Sequence, residues 1–86
     1  MSIASVLEAL RKEYRPALEE EVRNLDAAVT MADWPAARRI AHRVAGTAGS
    51  YGFKEASLSA RTIEDAIDEN DLAAIAPALT TLKSSL

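Results

Sequence analysis

Cysteine is absent from the 86-residue chain, histidine occurs once and glycine three times. Without thiols there is neither a disulfide framework nor a thiolate nucleophile, which suits a reducing compartment. A single imidazole excludes a multi-histidine metal site, and the carboxylates do not fall at calcium-loop spacing. Long apolar runs are missing too. Met1 to Leu10 contains Glu8 and offers neither a basic lead nor an apolar stretch long enough for a signal peptide or a membrane span. The expectation is a soluble, cytoplasmic protein with no membrane partner. At this length one domain over residues 1–86 can bury one modest core, with no room for a nucleotide-binding catalytic domain beside it. The chain reads as a module.

What the chain does have is an uneven charge. Residues 38–61 carry Arg38, Arg39, Arg43, Lys54 and Arg61 against Glu55 alone, a local charge of +4 that leaves −7 for the rest of a chain whose total is −3. Nucleic acid requires a broader basic surface than five side chains on an acidic protein, so no nucleic-acid partner is expected. A small anionic target, such as a phosphoryl group or an acidic pocket on a partner, fits this patch better.

Apolar residues recur at helical spacing almost throughout, and runs of β-branched residues are few. An all-α fold follows. Ser2 is placed to cap a first helix with Ile3, Val6, Leu7, Leu10 and Tyr14 on one face. Pro16 interrupts that pattern, although the stripe resumes in phase at Leu18, Val22, Leu25 and Val29; the expectation is a short accessory helix followed by a longer one. Asp33 caps the next helix, with Pro35 tolerated in its first turn. Gly52 ends that helix, and Lys54 to about Glu69 forms another, with Ala56, Ala60, Ile63 and Ile67 inward. Asn70 and Asp71 make the last turn. A final helix places Leu72, Ile75, Leu79 and Leu82 inward, with Pro77 kinking it or delaying its start. Short connections between amphipathic helices give an antiparallel up-and-down four-helix bundle.

All three glycines lie within Gly46 to Gly52, next to the only histidine, His42. At about 100° per residue from His42, the apolar residues Ala37, Ile40, Val44, Ala48 and Tyr51 cluster between about 160° and 240°. His42 therefore points away from the core. Gly46 and Gly49 flank it on the outward stripe, and each costs about 1 kcal/mol relative to alanine within a helix. Their absent side chains would let a partner's catalytic pocket close on the imidazole, or let another helix of the same protein approach. Arg38 and Arg39 lie one turn before His42 and Arg43 lies beside it, a set able to hold phosphate oxygens or meet partner carboxylates.

Hairpin symmetry supplies a partner for the ring. In an antiparallel helical hairpin, residues equidistant from the turn share a level, and Phe53 is the midpoint of His42 and Glu64. A Glu64 carboxylate accepting from Nδ1–H would fix the tautomer, leave the Nε2 lone pair outward and stabilise positive charge arising on the ring. Arg61, three residues before Glu64, competes for the same carboxylate.

The run from Ala41 to Gly52, preceded by Asp33-Trp34 and followed by Ile63-Glu64, resembles the histidine-containing phosphotransfer (HPt) domains of multistep phosphorelays. His42, Val44, Gly46, Ala48 and Gly52 match the positions of that motif in order, while Ala45 stands where many members carry lysine. The resemblance covers nearly the whole chain and implies a phosphoryl carrier of two-component signalling. His42 would be the phosphoryl acceptor, Glu64 would orient the imidazole and Gly46 would provide steric clearance. Arg38, Arg39 or Arg43 would compensate for Ala45. It also implies response regulator receiver domains and a hybrid sensor kinase as partners, a monomeric carrier, and magnesium held by the receiver rather than by this chain. The receiver would dock on Leu58 or the N-terminal helix.

Two other readings compete. A histidine kinase has an acidic residue directly after its histidine, where this chain has Arg43, and no Gly-rich loop after a strand offers an ATP site. A non-catalytic helical adaptor or inhibitor would use the glycine stripe only to pack against a signalling partner.

Overall fold

The computed structural model describes residues 2–86, which form helices and no strand. Helix α1 runs Ile3–Thr30, α2 Trp34–Ser50, α3 Lys54–Asp68 and α4 Ile75–Ser84, with a single 3₁₀ turn at Leu72–Ala74 before α4. They make a helical bundle in which α1 packs on α2, α2 on α3 and α3 on α4, while α4 meets α1 only sparsely. The Ser2 side chain accepts from the Ser5 amide at the start of α1, and Asp33 accepts from the Ala36 amide at the start of α2.

The short N-terminal accessory helix does not exist as a separate element: Pro16 lies inside one continuous helix of 28 residues. The ring removes the amide that would bond to the Lys12 carbonyl, but both residues are on the exposed side, where water can satisfy that carbonyl. Tyr14 and Leu18 lie on the same face to either side of Pro16, both packed into the core, and a straight helix keeps them there. A break would have cost more than the one lost bond. The part of α1 before Arg11 stands clear of the bundle, so Ile3, Val6, Leu7 and Leu10 are exposed. This overhang accounts for much of the 46 Å long dimension against 19 Å in the other two.

Leu72 is a second departure. It is half exposed, because the 3₁₀ turn that holds it is out of register with α4. Pro77 delays the true helix start to Ile75 and so occupies the first turn, where its missing amide has no helical partner anyway.

Each of the first three helices ends in the same way. The Asp33 amide reaches the Ala28 carbonyl, Phe53 reaches Ala48 and Asp71 reaches Ala66, while Ala32, Gly52 and Asn70 take the left-handed conformation between them. These are Schellman closures, which satisfy the last carbonyls and turn the chain sharply back. The reversed helices then pair at fixed levels.

Leu18, Val22 and Leu25 from α1, Val44 from α2, Ile63 from α3 and Ile75, Leu79 and Leu82 from α4 fill the core. Each such side chain contributes roughly 1.5–3 kcal/mol on burial. Between α2 and α3 the buried residues are mostly alanines, among them Ala37, Ala41, Ala48, Ala56 and Ala60. Small side chains let those two helices run close together. At the turn end Tyr14 stacks on Tyr51 with ring centroids 4.3 Å apart, and Phe53 sits tilted against Tyr14 at 6.1 Å. The rings fix how α1 meets the α2–α3 hairpin. No helix among the described residues is long and apolar enough to cross a membrane.

Candidate functional site

His42 projects from the middle of α2 with 73% of its side chain exposed, while Glu64 on α3 is only 12% exposed. Nδ1 of His42 lies 2.8 Å from Oε2 of Glu64. A carboxylate can only accept, so the proton of the neutral ring resides on Nδ1 and the Nε2 lone pair is available outward. The two helices thus bring together the imidazole and the carboxylate picked out by symmetry about Phe53. Arg61 does not take the carboxylate; the guanidinium on Glu64 belongs to Arg38, with Nη2 at 3.3 Å from the same Oε2.

Arg38 is in turn held by Asp68, with Nε donating to Oδ1 at 2.6 Å and Nη2 to Oδ2 at 3.1 Å. That paired hydrogen bonding raises the Arg38 pKa above its ordinary range and lowers that of Asp68 below the usual carboxylate range. Arg43 lies on the α1 side of α2, where Glu21 accepts from its Nη2 at 2.7 Å and from its Nε at 3.3 Å. The hydrogen bond to Glu21 likewise raises Arg43. The basic patch is therefore smaller than residues 38–61 alone suggest, because its neutralising acids, Glu21, Glu64 and Asp68, all lie outside that stretch. Arg39 and Arg61 make no ion pair among the described residues.

Asp68 is the member of this cluster that sequence reasoning passed over. The signal was present: Arg38 and Asp68 are symmetric about Phe53, just as His42 and Glu64 are. Each pair lies one helical turn from the other on its own helix, so four side chains form two neighbouring rungs.

Gly46 and Gly49 turn out to differ. A Cβ on Gly46 would meet nothing within 4 Å, so no neighbouring helix requires glycine there. A Cβ on Gly49 would lie 3.1 Å from Ser57 Oγ, and that hydroxyl already donates to the Ala45 carbonyl at 2.7 Å. Gly49 serves the close approach of α3, whereas Gly46 leaves open surface one turn after His42.

Beside these residues is an open cleft of about 420 Å³ that His42 and Glu64 share with Ala45, Gly46 and Arg61. Ala45 is itself buried. Among the described residues, no three carboxylates or imidazoles are grouped to hold a metal ion. The arrangement presents one oriented, exposed nitrogen nucleophile beside a small open space, with its other ring nitrogen held by a carboxylate.

No curated protein and no solved structure matches the chain. The family model of the Hpt domain, by contrast, matches residues 9–86, nearly the whole of it. With an exposed histidine on a helical bundle and that match, the chain belongs to the Hpt domain family, whose members carry out phosphotransfer with receiver domains and kinases in phosphorelays.

Proposed function

We propose that this protein relays a phosphoryl group between receiver-domain aspartates through phosphohistidine at His42. The observation that carries the reading is the 2.8 Å contact from Nδ1 to Glu64, which leaves Nε2 as the exposed nucleophile. Nε2 attacks the phosphorus of an aspartyl phosphate in line. The N–P bond forms as the P–O bond to the aspartate breaks, and the leaving electron pair returns to that carboxylate. Positive charge arising on the ring is stabilised by Glu64, and the Nδ1 proton stays in that hydrogen bond. Return transfer to a second receiver reverses these steps.

Gly46 gives the receiver's phosphorylated pocket clearance to reach Nε2, consistent with the empty space around its Cα. Arg61, which lines the cleft, and Arg39, one turn before His42 on α2, make no ion pair among the described residues and are suited to meet the incoming anionic group. Arg38 and Arg43 are already committed to Glu64, Asp68 and Glu21. Ile3, Val6, Leu7 and Leu10 offer an apolar docking stripe on the overhang of α1. Leu58 lines a separate groove between α3 and α4 with Thr62 and Pro77.

The test is transfer of label from a phosphorylated receiver. Wild-type protein is expected to acquire acid-labile, base-stable phosphate, and His42→Gln to acquire none while keeping its helical content and its melting temperature. Label on His42→Gln, or no transfer to wild type across a broad panel of receivers, overturns the proposal and leaves the adaptor reading.

A further inference from the structure

Glu64 is a nearly buried carboxylate, and a single one of its oxygens faces both the imidazole and a guanidinium. Such an oxygen can swing about the side-chain torsions of glutamate unless something fixes it. Arg38 contributes one contact at 3.3 Å, and Arg38 itself is a long, half-exposed side chain with several rotamers. Alone it would be a poor anchor. Asp68 removes that freedom by taking Nε and Nη2 together, so that Nη2 lies between Asp68 Oδ2 at 3.1 Å and Glu64 Oε2 at 3.3 Å. The fork of the guanidinium matches the carboxylate in two places and sets its plane. A chain of contacts then runs from Asp68 to His42 Nδ1, with hydrogen bonds at the Asp68–Arg38 and Glu64–His42 steps and an ion pair between Arg38 and Glu64.

We infer that Arg38 and Asp68 are positioning residues for phosphotransfer, a clamp that holds Glu64 against Nδ1 and keeps the ring in the Nδ1–H tautomer. The kinetic part of this inference rests on the phosphotransfer reading; the tautomer part does not. Arg38 thereby acts on the ring through Glu64 and does not serve as a phosphate ligand. Its charge is spent within the protein, and Arg39 and Arg61, which make no ion pair among the described residues, remain for the anion. Asp68 touches neither the ring nor the phosphoryl group. Its effect passes through Arg38.

Because that effect is indirect, a cycle of Arg38→Gln, Asp68→Asn and the double variant separates a clamp from two independent surface charges. Two measurements are made on each protein. Ring ¹⁵N shifts of the unphosphorylated protein at about pH 8, where an ordinary imidazole is neutral, report the tautomer. Wild type is expected to be predominantly Nδ1–H, and Asp68→Asn to show a raised Nε2–H fraction. The rate of phosphoryl uptake from a receiver is expected to fall about three- to tenfold in Asp68→Asn, the scale of one loosened hydrogen bond. In the Arg38→Gln background the Asp68 change should add nothing further, and Asp68→Glu should recover part of the loss. A wild-type tautomer and rate in Asp68→Asn, or fully additive effects in the double variant, overturns the clamp. A wild type that takes up no phosphoryl group while its ring spectrum responds to Asp68→Asn overturns the transfer reading and leaves the clamp standing.

Discussion

The two ends of the α2–α3 hairpin are joined by opposite means. Next to the turn, Gly49 faces Ser57 so closely that a methyl group would crowd the hydroxyl, while Tyr14 stacks on Tyr51 and Phe53 sits tilted against Tyr14. Further from the turn the rungs are His42 with Glu64 and Arg38 with Asp68, bridged by polar side chains on the surface. Both ends obey the same symmetry about Phe53. The apolar end sets the register; the polar end uses it. Surface ion pairs are worth little to stability, so the polar rungs are better understood as geometry for the imidazole than as fastening.

If this division holds, the largest loss of stability comes from the turn end. Phe53 is buried against Tyr14 and has the Arg15 guanidinium 5.3 Å above its ring, so Phe53→Ala should destabilise by about 3–5 kcal/mol in urea titration. That is a large share of the stability expected for a domain of this size, roughly 4–13 kcal/mol. Loss of less than about 1 kcal/mol would mean that the register is set elsewhere.

The glycines sharpen the comparison further. Gly46→Ala should raise stability by up to about 1 kcal/mol, seen as a melting point about 4–8 °C higher, and should slow phosphoryl uptake. Gly49→Ala should gain less, because Ser57 must yield its place and strain its bond to the Ala45 carbonyl. Equal gains in the two variants, or unimpaired uptake in Gly46→Ala, would remove the distinction drawn between clearance and packing.

The smallest expected effect is the acid response of the outer rung. The Asp68 carboxyl is held below its usual range by its hydrogen bonds from Arg38, so the folded state binds that proton less readily than the unfolded chain. Its contribution is therefore present above the ordinary carboxylate range near pH 4 and disappears as pH falls below it. Asp68→Asn should lower the melting point slightly at neutral pH and leave it unchanged at about pH 2, flattening the acid limb. An identical pH dependence in the two proteins would show that the pair does not persist in solution.

Much of this was legible in the residue order. The helical period, the caps at Ser2 and Asp33 and the stop at Gly52 follow from local chemistry, and hairpin symmetry was enough to pair His42 with Glu64. Pro16 misled because its cost is one hydrogen bond on a wet face, while the benefit of a straight helix comes from Tyr14 and Leu18 packing on distant partners. Leu72 misled because periodicity does not see a 3₁₀ turn shift the register. The fate of the basic patch depended on Glu21, Glu64 and Asp68, acids that tertiary structure brings to it from outside the stretch. Whether a glycine serves the protein or a visitor is decided by what lies across from it, and no window of sequence contains that.

The Schellman closure at Gly52 makes positions on α2 and α3 mutually dependent, since a residue's number on one helix dictates its opposite on the other. A single residue inserted between Tyr51 and Lys54 would slide every rung at once, separating His42 from Glu64 and Arg38 from Asp68 without altering any of those side chains. Substitutions can accumulate along this hairpin one at a time, but a change in the length of its three-residue connection would be tolerated only if both helices were rewritten together.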